Sequence, residues 1–148
     1  MKSVYEQVLE FKARHPFTIG WRLKKNSRVV EKHLNPGEKV LYAFIAQKND
    51  NPFNIISSAV VTLTNRRILI GRKRVVFGYY LDAITPDMFN DLKVVGGIIW
   101  GKVYIDTVKE FVTLSNISKD ALPEIETEIT SYMMREKRRY MAHNKEEK

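Results

Sequence analysis

At 148 residues the chain has the length of one domain and can bury a core without staples or metals. It contains no cysteine, which excludes a disulfide framework, thiol catalysis and any zinc site built on cysteine. The net charge of +8 bears on association rather than on fold, and it is uneven: +5 over 1–34, zero over 35–65, +5 over 66–74, −5 over 75–131 and +3 over 132–148.

Ser3-Val4-Tyr5-Glu6 spells a capping box, and Val4, Val8 and Phe11 recur at helical spacing, so a helix is expected to run to His15 and stop before Pro16. A second helix is expected over Ile19–Leu34, ended by Asn35-Pro36-Gly37. From Glu38 the period changes to two, and Val40 to Ala46 is apolar on both alternating faces, the pattern of a strand covered on each side. Asn49-Asp50-Asn51-Pro52 breaks it. Further strands are expected at Ser58–Leu63, Ile68–Gly71, Val75–Leu81, Met88–Val95, Ile98–Ile105 and Phe111–Leu114, with Gly96-Gly97 as a two-residue hairpin turn at positive φ. Asp120 is expected to cap a last helix that tolerates Pro123 in its first turn and packs through Leu122, Ile125, Ile129 and Met133. Beyond Met134 the apolar stripe is lost and the helix is expected to project. Helices, seven sequential strands and a closing helix make an α+β order. It divides into an N-terminal helical extension (1–34), a strand-rich domain (35–134) and a basic tail (135–148).

Three stretches carry a resemblance: Leu34-Asn35-Pro36-Gly37-Glu38 before the first strand, Val61-Thr62-Leu63-Thr64-Asn65-Arg66-Arg67-Ile68 at a hairpin, and Gly97 to Ile105 near the end. Over about 34–133 the chain resembles the bacterial pleckstrin-homology-like (PH-like) domains, of the YokE-like sort. The resemblance implies a seven-strand antiparallel β-sandwich or open barrel capped by a C-terminal helix. It also implies a binding module without catalytic residues, taking ligands or partners at the open end or along a strand edge. Phosphoinositide-binding members carry a basic cluster across the end of the first strand and the start of the second, whereas Gln47–Ser57 holds only Lys48 here, which argues against that ligand.

Little in the sequence points to catalysis. His15, His33 and His143 lie far apart, two of them at expected helix ends, so no metal site is expected. No phosphate-cradling glycine loop occurs, and Asp82, Asp87, Asp91 and Asp106 read as turn punctuation. No enzyme activity and no cofactor are expected. Asn65 is suited to a left-handed turn position, and Arg66 and Arg67 to satisfying nearby carbonyls or carboxylates.

The remaining binding candidates are basic: Lys48, Arg66, Arg67, Arg72, Lys73 and Arg74. Arg66-Arg67 and Arg72–Arg74 flank one short strand, so at about 3.4 Å per residue they form two patches rather than one. Arg72-Lys73-Arg74 is expected in an exposed turn, read first as a solvated, aggregation-resistant loop and, in its functional reading, as facing either a protein partner or the anionic inner face of a membrane. Lys137–Met141 is a candidate addition to that surface, diluted by Glu136, Glu146 and Glu147. Nucleic acid ranks below these, because no strand interleaves basic and aromatic residues. A cytoplasmic protein, peripheral at most to the membrane, is the expectation. The alternative is a homo-oligomer assembling through apolar faces left over at Val4, Val8, Phe11, Trp21, Val30 and Leu34.

Overall fold

The computed structural model describes residues 2–49 and 57–146. Their order is α1 (Val4–Arg14), α2 (Leu23–Lys32), β1 (Val40–Gln47), β2 (Ser58–Thr64), β3 (Ile68–Lys73), β4 (Tyr79–Ile84), β5 (Phe89–Gly96), β6 (Trp100–Thr107), β7 (Phe111–Ser118) and α3 (Leu122–Glu146). Asp50, Asn51 and Pro52, expected to break the first strand, lie outside the described residues, as do Glu147 and the side chains of Tyr140, His143 and Glu146.

The strands are antiparallel in the order β4-β3-β2-β1-β7-β6-β5. β1–β4 and β5–β7 form two ladders joined by a single pairing, Gln47 with Ser115. The sheet thereby curls into a half-barrel, the PH-like α+β architecture the resemblance implies.

Register explains how the strands are covered. Tyr42 pairs with Leu63, Phe44 with Val61 and Val61 with Ile70, so these side chains share one face. Ile45 pairs with Val60 and Val60 with Gly71, which occupy the other. Helix α2 lies on this second face. A Cβ on Gly71 would stand 2.7 Å from Val30 Cγ2, so glycine is what lets the helix approach β3. On the first face Phe11 of α1 meets the rings of Tyr42 and Phe44 at 6.5 and 5.9 Å. Helix α1 runs beside β1 where β7 has diverged, and Gln7 Nε2 reaches the Val40 carbonyl at 3.5 Å. This two-sided cover is why every residue of β2 is buried.

Val4, Val8, Phe11 and Val30 therefore belong to the same core as Phe44, Ile105 and Ile129. The apolar face that was to drive assembly through α1 is covered within the monomer. A polar latch finishes the α1 contact. Arg14 Nε and Nη2 donate to the Glu124 carboxylate at 3.2 Å, and Tyr42 Oη donates to it at 2.6 Å. His15 Nδ1 and Nε2 face Asp120 and Glu124 at 3.3 Å. Burial raises the Glu124 pKa, but the Arg14 and Tyr42 bonds outweigh it and hold the carboxyl below its ordinary value.

Several expectations are corrected. Helix α2 is shorter than Ile19–Leu34 because Arg22, at φ +56°, turns the chain into it. Residues 75–78 are a turn and not strand; β4 starts at Tyr79. Gly78 is the turn's left-handed residue (φ +76°), and Arg74 N–H closes the turn on the Gly78 carbonyl at 3.0 Å. Gly96 and Gly97 are not at positive φ: Gly97 N–H bonds the Trp100 carbonyl at 2.9 Å, placing Ile98-Ile99 at that hairpin's tip. Asn65 is not left-handed either. It works through its side chain, accepting from Lys39 N–H at 2.8 Å and donating to the Gly37 carbonyl at 3.4 Å. Asp120 lies inside a single 3-10 turn, Lys119–Ala121, where it accepts from the Ser118 hydroxyl.

Candidate functional site: a basic hairpin against a basic helix

Strand alternation separates the six basic candidates. At the lower end of β3, Arg67 Nε and Nη2 donate to the two Glu38 oxygens, both at 3.0 Å, and Nη2 also donates to the His33 carbonyl. The Glu38 side chain is 0% exposed and accepts further bonds from Asn35 N–H (3.0 Å) and the Thr64 hydroxyl (2.6 Å). Burial alone raises this carboxyl, but the Arg67, Asn35 and Thr64 bonds overcome it and bring the pKa down to about 2. Arg66 donates to the Pro36 carbonyl at 3.3 Å. Lys48 is also engaged, ion-paired with Asp82 and 4.0 Å from Glu110.

The upper end of β3 is different. Pairing of Arg72 with Tyr80 puts Arg72 on the Lys48 face, with its guanidinium 4.5 Å from the Tyr80 ring centre. Lys73, paired with Tyr79, points to the α2 face, and Arg74 begins the turn and also overlies Tyr80, at 5.4 Å. Beyond them the turn carries Val75, Val76 and Phe77, the last two 76% and 80% exposed, with Tyr79 and Tyr80 half-exposed behind. Three consecutive apolar side chains held in water on a hairpin tip contradict the rules of a stable surface unless something covers them.

Helix α2 supplies the neighbouring charge. Lys25, Arg28 and Lys32 fall at i, i+3 and i+7 and line a cleft of about 360 Å³ with Lys73, His33 and Tyr79 over a floor of Val29. Asn26, buried, sets this geometry: its Nδ2 donates to the Trp21 and Ser58 carbonyls at 3.0 Å, and its Oδ1 accepts from Lys73 N–H at 2.8 Å. Arg22 reaches the Arg74 carbonyl at 3.3 Å from its strained left-handed backbone, tying the helix start to the hairpin.

The helical face was legible as spacing and was overlooked. The tip was hidden because a β-branched run reads as strand, although Gly78 directly after Phe77 was a turn signal. A second exposed apolar group, Phe17 with Ile98, Ile99 and Trp100, sits at the β5–β6 tip, where Trp100 Nε1 donates to the Phe17 carbonyl at 2.6 Å.

No group of three metal-ligating side chains gathers among the described residues, and no helix among them is long and apolar enough to cross a membrane. Comparison with curated proteins returns no match. The family model described as Bacterial PH domain matches residues 34–130, about two-thirds of the chain, beginning just after α2 and ending within α3. With its half-barrel, its closing helix and this match, the chain belongs to the bacterial PH domain family.

Proposed function

We propose that the protein is a non-catalytic binding module that docks reversibly on an anionic membrane surface, on the cytoplasmic side, through the β3–β4 hairpin. The carrying observation is the exposed Val75-Val76-Phe77 tip set between basic residues. Apolar side chains at such a tip gain by entering the headgroup region, about 1.5–3 kcal/mol for a fully buried one. Each basic side chain near an anionic surface adds about 1 kcal/mol, here from Lys73 and Arg74, with Lys25 and Arg28 alongside. Two weak signals of different kinds make attachment that is stable yet reversible. The covered state of Val4, Val8, Phe11 and Val30 counts against assembly through α1 and leaves this hairpin as the better interface.

Co-sedimentation of the full chain with phosphatidylglycerol-containing vesicles tests the reading. Binding is expected at low salt, weaker at 0.5 M salt, and absent from purely zwitterionic vesicles. The Val76→Asp, Phe77→Asp double variant is expected to lose it while folding normally. Equal binding by parent and double variant would overturn the reading, as would indifference to vesicle charge. A fixed oligomer that ignores vesicles in light scattering would restore the assembly alternative.

A further inference from the structure

We propose that the cleft between α2 and the β3–β4 hairpin is a receptor for a phosphate monoester, gripped by Lys25, Arg28, Lys32 and Lys73. It deepens the membrane reading without depending on it, since a monoester can be presented by a lipid or by a soluble molecule.

Four cations meet in one cleft of about 360 Å³ that no carboxylate lines. Among the described residues none of the four has an acidic partner, in contrast to Arg14, Lys48 and Arg67, each of which has one. The only acidic residue of α2, Glu31, is occupied elsewhere, accepting from Tyr5 N–H at 3.2 Å. Like charges gathered without counter-charges repel, and a ligand of two negative charges relieves that repulsion more than one of a single charge.

The donors suit the three terminal oxygens of a monoester. Arg28 presents a planar fork, the three lysines present point charges, and the Tyr79 hydroxyl adds a neutral donor. His33 stands with its ring 4.6 Å from that of Tyr79, and its Nδ1–H donates to the Val29 carbonyl at 2.6 Å, which leaves Nε2 as the nitrogen not committed to the helix. The frame is also fixed beforehand. Lys73 N–H is bonded to buried Asn26, so the strand that carries the fourth cation is tied to the helix that carries the other three. A pre-set cationic frame loses less freedom on binding than mobile surface lysines do. Lys25, Arg28 and Lys32 lie outside the family-matched residues 34–130, whereas Lys73 and Tyr79 lie within them, so the match alone does not account for the cleft.

The test uses the full-length chain and two probes. In the first arm glycerol 3-phosphate is titrated against the backbone amide spectrum, with neutral glycerol as control. In the second, vesicles containing phosphatidic acid, a monoester, are compared with phosphatidylglycerol vesicles, a diester, at matched surface charge. Saturable shifts centred on Lys73, Tyr79 and α2, or at least a tenfold preference for phosphatidic acid, are expected. Either is to be lost in Arg28→Ala, Lys32→Ala with the remaining spectrum unchanged. Shifts without lipid preference assign a soluble ligand, and preference without shifts assigns a lipid one. The absence of both, or equal binding by the double variant, overturns the proposal. Phe77→Asp separates the two readings: it is expected to weaken both vesicle types by the same factor and to leave the glycerol 3-phosphate response intact.

Discussion

The two ends of β3 carry the same chemistry and use it in opposite ways. At the Arg66-Arg67 end the Arg67 guanidinium turns inward to Glu38 and the His33 carbonyl, while exposed Arg66 rests on the Pro36 carbonyl. At Lys73-Arg74 the side chains meet only an aromatic ring or open cleft, beside an apolar tip. A count of positive charge scores the two ends alike, whereas what separates a structural cation from one available to a ligand is whether a carboxylate already answers it.

The sharpest way to break the contrast is to remove Arg67. Arg67→Ala leaves the fully buried Glu38 carboxylate without its main partner, and uncompensated buried charges cost about 3–5 kcal/mol. Urea unfolding should show that loss, and a variant as stable as the parent would make this end no more structural than the other. The same site sets an acid limit. The Glu38 pKa lies near 2 in the fold against 4.5 for an ordinary glutamate. A depressed folded value gives stability that is complete above the unfolded pKa and is lost as pH falls through the window from about 4.5 to 2. At about 1.4 kcal/mol per pH unit the loss is about 3 kcal/mol. Stability measured from pH 6 to pH 2.5 should fall steeply in the parent and less in Glu38→Gln, whose starting stability is lower. Parallel slopes would refute the assignment.

The structural end was readable in part, as turn spellings. Asn35-Pro36-Gly37 reads as a turn and Arg66-Arg67 as groups that satisfy nearby carbonyls or carboxylates, but nothing local names Glu38, 29 residues from Arg67, as the partner. The strand count and the closing helix were readable from period-two runs and the Leu122–Met133 stripe. The available end was not. Arg72, Lys73 and Arg74 look like one patch in sequence, and only the pairing with Tyr79 and Tyr80 shows that alternation sends Arg72 and Lys73 to opposite faces. Val75–Phe77 reads as strand by propensity, and its exposure follows from Gly78 closing the chain back one turn early. The basic face of α2 gains meaning only through Asn26, whose bonds to Ser58 of β2 and Lys73 of β3 tie the helix to two neighbouring strands and appear nowhere in local pattern.

At the available end the expected effects are smaller for folding and larger for binding. Val76→Asp with Phe77→Asp touches only exposed positions, so stability should stay within about 0.5 kcal/mol of the parent. Vesicle affinity should drop at least about tenfold, the equivalent of one apolar side chain withdrawn from the interface. Lys73→Gln should weaken anionic-vesicle binding about fivefold, one basic residue's contribution of about 1 kcal/mol. The loss should shrink at high salt. A double variant that unfolds, or a Lys73 effect independent of salt, would mean that the hairpin supports the fold rather than meeting a surface.

The finest test is Arg66→Ala. Arg66 is exposed, carries the same charge as Arg74, and its side chain donates to the Pro36 carbonyl at 3.3 Å. Losing that bond should cost no more than about 1 kcal/mol, and because Arg66 sits at the far end of β3 from the hairpin tip, vesicle binding should be unchanged. The comparison with Lys73→Gln is decisive because both substitutions subtract one unit from the same net charge of +8. If attraction to the membrane is a property of the whole protein's field, the two variants weaken binding equally. If it is local to the hairpin, only Lys73→Gln does, since separations beyond about one Debye length, roughly 8 Å at physiological salt, are largely screened. Equal losses would dissolve the distinction between the two ends of β3; unequal losses would place the membrane contact at one of them.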